Sequence, residues 1–137
     1  MSFDTRKKEM NSYFNTNFSG VASAQIIWDG VKPSDSLNRD NPHIAVSIQP
    51  VDAKFASLNS TRRVRHVGLY VVQIFIKPDE TTEAADDIAQ AVADAIEGKT
   101  TTNGIVFGAS RITRVGLNDG IFQLNVFTDY KYDEQRS

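Results

Sequence analysis

The chain has 137 residues, of which 40% are hydrophobic, and its formal net charge is -2 at pH 7. A chain of this length buries roughly two-thirds of its unfolded surface, which suffices for one core and predicts a single domain over residues 1–137. Cysteine is absent, which excludes disulfides, cysteine nucleophiles and zinc-thiolate sites and fits a reducing cytoplasm. The net charge argues against general affinity for nucleic acid.

Membrane association and secretion are not expected from this sequence. The N-terminal stretch MSFDTRKKEMNSYF lacks the apolar segment that a signal peptide needs. The longest apolar stretch of the chain is too short to span a bilayer. We therefore expect a protein that is made in the cytoplasm and has no membrane partner.

The first predicted element is an N-terminal helix. Four apolar residues recur at the spacing of one helical face: Phe3, Met10, Phe14 and Phe18. Ser2 or Asp4 could cap this helix. Residues 22–42 contain Gly30, Pro33 and Pro42, and this punctuation predicts a connection that is mostly loop.

Two strands are predicted next, separated by a basic segment. Residues 43–50 alternate between apolar and polar positions, as in a half-buried strand. Residues 67–76 are apolar on both faces, with Tyr70, Val72, Ile74 and Ile76 on one and Val67, Leu69, Val71 and Phe75 on the other. We predict residues 52–66 to be a flexible basic loop of net charge +3, in which Asp52 opposes four cations: Lys54, Arg62, Arg63 and Arg65.

The clearest predicted helix covers residues 81–98. Its apolar stripe consists of Ala85, Ile88, Val92, Ala95 and Ile96. Thr81 or Thr82 can cap this helix and Gly98 can end it. The overlapping segment 79–97 carries seven acidic residues and no basic one, a net charge of -7. A solvated helix face is the simplest interpretation of this charge.

Two further strand-like runs, residues 104–117 and 120–132, are joined by the turn signal Asn118-Asp119-Gly120. Residues 131–137 are expected to fray. The element order predicts an α+β fold in one domain. Its sheet is largely antiparallel (mixed), with about four or five strands, and its two helices pack on one face.

The search for catalytic chemistry is negative. Phosphate-loop, dinucleotide-binding and serine-nucleophile motifs are absent from the sequence. His43 and His66 are too far apart in sequence for a helical metal pair, and each is interpreted as a hydrogen-bonded or solvated residue. Asp29, Asp35 and Asp40 do not follow the calcium-loop pattern and are interpreted as turn acids. We predict no catalytic, cofactor-binding or metal-binding residue.

Over residues 3–130 the chain resembles the bacteriophage tail-terminator or tail-completion family. The most specific part is residues 68–96, where a strand of the form G-h-h-h-h-p-h-h-h-P, with h apolar and p polar, runs into the acidic helix. Trp28-Asp29-Gly30 and residues 43–50 are weaker matches. One departure is the stretch DETTEA, where family members often have glycines.

The resemblance implies a structural virion protein at the head-proximal end of the tail. Such proteins cap the tail tube as rings, typically hexameric, stop its polymerisation and provide the surface that joins the head. The implied partners are other copies of the chain, the tail-tube protein and a head-completion or connector protein. Passing DNA would make only transient, non-specific contacts.

A ring also accounts for the doubly apolar strand, because a neighbouring subunit can cover the second sheet face. We therefore predict a subunit interface at Val67, Leu69, Tyr70, Val71 and Phe75. The cations Lys54, Arg62, Arg63 and Arg65 are interpreted either as a flexible solvated hairpin or as an arm that faces the lumen, the tube or DNA phosphates. The acidic helix would face outward or toward a basic surface of a neighbour.

Two alternatives remain. Another phage ring component, either a head-tail connector or a tail-tube subunit, would share this patterning. A small cytoplasmic enzyme or ligand-binding domain would instead need polar groups that converge in an apolar pocket. The sequence offers few candidates for such a pocket apart from Gln73, Arg111 and Arg114.

Overall fold

A computed structural model describes residues 3–57, 62–77 and 83–136. Their elements, in chain order, are helix α1 (Phe3–Asn17), a 3-10 turn (Ser23–Gln25), strands β1 (Ile26–Trp28), β2 (His43–Ser57) and β3 (Arg62–Ile76), helix α2 (Glu83–Ile96), and strands β4 (Val106–Asn118) and β5 (Ile121–Arg136). The strands form one sheet in the order β1-β2-β3-β5-β4, in which only the β1–β2 pair is parallel. The predicted α+β fold with a mixed sheet is confirmed.

Both helices pack on one face of the sheet and bury a single core. The sheet contributes alternate residues of its central strands, all at most 6% exposed: Ile44, Val46, Ile48, Tyr70, Val72, Ile74, Ile76, Phe122, Leu124 and Val126. From α1 come Met10 and Phe14, whereas Phe3 is 37% exposed and lies outside the core. The period-2 alternation of the strands therefore defines which face the helices cover.

Helix α2 forms where its apolar stripe predicts a helix. All five stripe residues are buried: Ala85, Ile88, Val92, Ala95 and Ile96. Gly98 follows the helix with a φ of +69°, a left-handed conformation that glycine adopts without a steric penalty. The proposed caps Thr81 and Thr82 lie outside the described residues. The acidic side chains of α2 are exposed on the opposite face of the helix, which is the pattern of a solvated face.

The prediction that residues 52–66 form a flexible loop is wrong for the described part of this segment. Residues 52–57 extend β2 and residues 62–66 extend β3, with Lys54 opposite Arg65 in an antiparallel hairpin. Strand β5 pairs with β3 as far as Arg136, so residues 131–136 do not fray. Polar side chains are compatible with these strands because the hairpin extends beyond the helices. Residues 58–61 and Ser137 lie outside the described part.

Strand β1 was not predicted, because residues 22–42 were expected to be mostly loop. Ile26–Trp28 pairs in parallel with β2 at Ile44–Val46. Three residues are too few to show a strand period, and β1 gains its structure from the edge of β2. Its Ile26 is buried in the common core.

Gly68 has no space for a side chain. A Cβ at this position would lie 2.5 Å from the Gln49 carbonyl oxygen and 2.5 Å from the Tyr130 ring. We expect Gly68→Ala to lower the free energy of unfolding by about 1–3 kcal/mol, because backbone and a packed ring must move. Chemical denaturation would measure this change. The matched control is Gly108→Ala, whose Cβ would make only an ordinary contact of 3.5 Å with Asp129; an equal loss in both variants would contradict the explanation.

Buried tyrosines predict a loss of stability in alkali. Burial, with a smaller contribution from Tyr132, raises the pKa of Tyr130 from 10.0 to about 12. A raised pKa stabilises the fold fully below the unfolded value, and this stabilisation is lost as pH rises from about 10 to about 12. Urea unfolding at several pH values should show this decline. Tyr130→Phe cannot ionise at this position and should weaken the decline, and an unchanged profile in that variant would contradict the assignment.

Candidate subunit interface

The sheet face opposite the helices, here named the open face, is apolar in its centre. Cross-strand register aligns its residues in rows from β2 through β3 to β5: Ala45–Gln73–Asn125, Ser47–Val71–Phe127, Gln49–Leu69–Asp129 and Asp52–Val67–Lys131. Val67, Leu69 and Phe75 remain half-exposed although they lie on the central strand. Since both helices pack on the other face, no described element of this chain covers the open face.

Two charged pairs border this apolar centre. The Arg65 guanidinium donates two hydrogen bonds to the Asp133 carboxylate, at 2.9 and 3.2 Å, and Arg111 donates one to Asp129 at 3.2 Å. The hydrogen bonds from Arg65 hold the pKa of Asp133 below its usual value. An apolar centre within a polar rim is the usual anatomy of a protein–protein interface.

The open face contains a concave region, here named the apolar depression. Its volume is about 560 Å³, and its apolar walls come from Val51, Val67, Leu69 and Val106. Val51 lies at a β-bulge in β2, which leaves it without a cross-strand partner and 66% exposed. Gly108 also lines the depression, and the missing side chain there keeps it open.

A second cleft, of about 400 Å³, lies at the basic end of the sheet. Arg63, Arg65 and Lys131 line it together with Asp133, so cations outnumber carboxylates. The predicted cationic residues are therefore displayed on paired strands rather than on a loop. Lys54 is exposed and lies 3.8 Å from Asp52. Arg62 lies in β3, and its side chain is outside the described part.

A family model described as phage tail terminator protein matches residues 10–111. The chain belongs to the phage tail terminator protein family. It is therefore a structural protein of the phage tail and a component of the virion, as the sequence resemblance implied. No curated protein matches the chain.

Solved structures share the fold of this tail terminator family member. One is a chain from the virion of a native gene transfer agent particle, with a TM-score of 0.61 and 13% identity, covering 97% of this chain and 100% of that chain. A second solved chain has a TM-score of 0.62 and 11% identity, covering 96% of this chain and 95% of the other. At these identities the similarity establishes the fold.

One residue of the predicted subunit interface does not lie on the open face. Val67, Leu69, Val71 and Phe75 lie on the open face, although Val71 is only 4% exposed. Tyr70 is 0% exposed in the helix-covered core, where its hydroxyl donates a hydrogen bond to Asn11 at 2.9 Å. The assignment of Tyr70 to the interface is therefore wrong, because successive strand residues point to opposite faces.

Other parts of the open face were missed at the sequence level. Phe127 and Asp129 of β5 and Val106 of β4 extend the surface on either side of the β3 residues. In β5, core residues alternate with Gln123, Asn125 and Phe127. This alternation indicates that β5 has a second face, on which these three residues lie. The sequence could not show that β5 lies beside β3.

The polar groups considered for an enzyme pocket do not converge. Gln73 lies on the open face, Arg111 pairs with Asp129, and Arg114 lies over the Phe122 ring at 4.8 Å. His43 donates from Nδ1 to the Asn41 carbonyl at 3.0 Å, and His66 stacks on Tyr132. These arrangements are structural contacts, and the tail terminator family is structural rather than enzymatic.

Two further findings concern metals and membranes. Among the described residues, no three histidine or acidic side chains are grouped closely enough to hold a metal ion. Neither helix in the described ranges combines the length and apolar character needed to cross a bilayer.

Proposed function

We propose that the protein caps the phage tail tube as a homo-oligomeric ring, ends tube polymerisation and provides the surface to which the head joins. The single observation that carries this proposal is the open face, a central sheet surface that no described element of the chain covers. Because the chain belongs to a phage tail family, we infer that a neighbouring subunit covers the open face within the tail. The partners are other copies of the chain, the tail-tube protein and a head-completion or connector protein.

The size of the open face is adequate for a subunit contact. Four strands about 4.8 Å apart and about ten residues long, at ~3.3 Å per residue, span roughly 600 Å². A standard stable interface buries about 800 Å² per partner. Contact over most of this face, with a modest contribution from its rim, would reach that range. A hexamer is the stoichiometry that the family resemblance implies.

The basic cleft has a role separate from the subunit contact. Arg63, Arg65 and Lys131 are displayed at the end of the sheet where the β2–β3 hairpin extends beyond the helices. In a ring this end faces the lumen or an axial surface, where the cations contact DNA phosphates without reading sequence. Such contacts must stay weak, because DNA has to pass.

The capping function is tested by mixing the purified protein with purified tail tubes. Electron microscopy should show protein at one tube end, and mass measurement should show one ring per tube. Leu69→Asp should abolish end binding, because a charge on the open face opposes burial. The matched control is Phe3→Asp, since Phe3 is an apolar residue of α1, 37% exposed, on the helix-covered side of the sheet.

Three outcomes would contradict the capping function. Binding along the whole tube would indicate a tube subunit rather than a terminator. Binding to isolated heads but not to tubes would indicate a connector. End binding by Leu69→Asp at the wild-type level would remove the open face from the mechanism.

The basic residues are tested separately by replacing Arg62, Arg63 and Arg65 with alanine. We expect rings that still form but join heads less efficiently, with a weaker salt dependence of DNA binding. Tail length and the yield of infectious particles measure this effect. Normal yields from the triple variant would exclude a role for these cations in assembly.

A further inference from the structure

The sheet carries a second exposed apolar surface, on its edge strand β4. It is here named the hairpin end and consists of Ile112, Val115 and Leu117 at the turn end of β4 and β5. Their exposed fractions are 54%, 54% and 66%. Three large aliphatic side chains exposed within six residues of one strand on a small protein mark a contact surface.

The two apolar surfaces lie on opposite faces of one sheet. Ile112 pairs with Val126 and Leu117 pairs with Phe122, and both partners are core residues. The side chains of Ile112 and Leu117 therefore point to the helix-covered side of β4, whereas the depression lies on the open face. One copy therefore cannot fill its own depression with its own hairpin end.

Ring geometry requires two different surfaces on each subunit. If the open face packed only against the same face of another copy, the contact would be isologous and would stop at a dimer. A ring needs a heterologous contact, in which one surface of each copy meets a different surface of the next. The hairpin end and the depression form such a pair, because both are apolar and they lie on different faces of the sheet.

We propose, building on the ring of the proposed function, that the hairpin end of each copy docks into the apolar depression of the next copy. The depression volume of about 560 Å³ accommodates several aliphatic side chains. Asp129 and Lys131 at its rim carry opposite charges, and Arg114 and Asp119 beside the hairpin end do the same. No net charge repulsion therefore opposes this contact.

Thiol cross-linking tests this contact, and the absence of native cysteine makes every cross-link informative. The double variant Val51→Cys with Leu117→Cys is treated with a short bifunctional thiol reagent, both free and on tail tubes. We expect a ladder of linked copies that ends at the closed ring. The matched control is Val31→Cys with Leu117→Cys, in which Val31 has similar exposure but lies outside both surfaces.

The cross-linking result can overturn the contact in two ways. If the double variant gives no more product than the control pair, free and on tubes, the two surfaces do not meet. If Leu117→Cys alone gives dimers as abundant as the double variant, the contact is isologous. A ladder in the double variant alone supports the head-to-tail contact.

Complementation provides a second test. Gly108→Val fills the depression but leaves the hairpin end intact, and Leu117→Asp does the reverse. We expect each variant to remain monomeric, and their mixture to form heterodimers but no ring, because one productive contact remains per pair. Ring formation by either variant alone, or the absence of heterodimers from two folded variants, would contradict the proposal.

The tests also separate this contact from the capping function. Wild-type protein that binds one tube end while no ladder forms would leave the capping function standing and exclude the contact. A ladder without any binding to tubes would support the contact and exclude the capping function.

Discussion

Replacing Tyr70 with aspartate is expected to unfold the protein at neutral pH. The Tyr70 ring is fully buried, 5.6 Å from the Phe14 ring and 5.7 Å from the Phe107 ring. The substitution leaves a cavity and a carboxylate without a charged partner, and each change costs several kcal/mol. Because small domains are stable by only about 5–15 kcal/mol, the combined loss removes most or all of the stability.

The adjacent residue provides the matched control for this prediction. Leu69→Asp places the same charge one residue away, on the open face, where the carboxylate keeps access to water. This variant should retain a cooperative thermal transition by circular dichroism while failing to assemble. A folded Tyr70→Asp variant, or a Leu69→Asp variant that unfolds equally, would contradict the assignment of the two faces.

This contrast shows how far the sequence alone determines the faces of the sheet. The alternation in residues 67–76 separates Tyr70 from Leu69 correctly, because side chains change face at every strand residue. The pattern does not show which face the helices cover when both faces are apolar. Placing Tyr70 in one interface with Leu69 conflicts with the alternation itself, and the packing of α1 against Tyr70 shows that its face is the covered one.

The basic residues of β2 and β3 show a second limit of prediction from the sequence. Residues 52–57 and 62–66 lack an apolar alternation, so their composition indicates a loop. Their strands form because β5 continues alongside β3 as far as Arg136, about seventy residues later in the sequence. Local patterns cannot reveal a pairing partner at this distance, whereas α2 carries its own helical period and was predicted closely.

The apolar depression is even harder to predict from the sequence, because it is formed by residues from distant strands. Val51 reaches its rim through a bulge, and Val106 and Gly108 come from β4, which is separated from β2 by two other strands in the sheet. None of these residues has a distinctive sequence context. The hairpin end is different, since Ile112 and Leu117 are visibly apolar residues beside a predicted turn, but only the structure shows that the helices leave them uncovered.

A buried polar cluster holds α1 in place and was also invisible at the sequence level. The Glu9 carboxylate accepts hydrogen bonds from the Thr101 hydroxyl and from Asn103 Nδ2, the latter at 2.8 Å. Arg6 lies 3.7 Å from Glu9, donates to the Asn103 carbonyl at 3.1 Å and covers the Tyr132 ring at 5.0 Å. These contacts join the first helix to the connection between α2 and β4.

We expect Glu9→Ala to lower the free energy of unfolding by about 3–5 kcal/mol, because it leaves the buried Arg6 guanidinium without its carboxylate. This corresponds to a fall of roughly 10 °C or more in Tm, measurable by calorimetry. The matched control is Asp4→Ala, which removes an exposed ion pair with Lys8 on the same helix and should have little effect. Adding Arg6→Met to Glu9→Ala should recover part of the loss, since an apolar side chain needs no counter-charge. A loss in Glu9→Ala no larger than in Asp4→Ala would show that the cluster does not hold the helix.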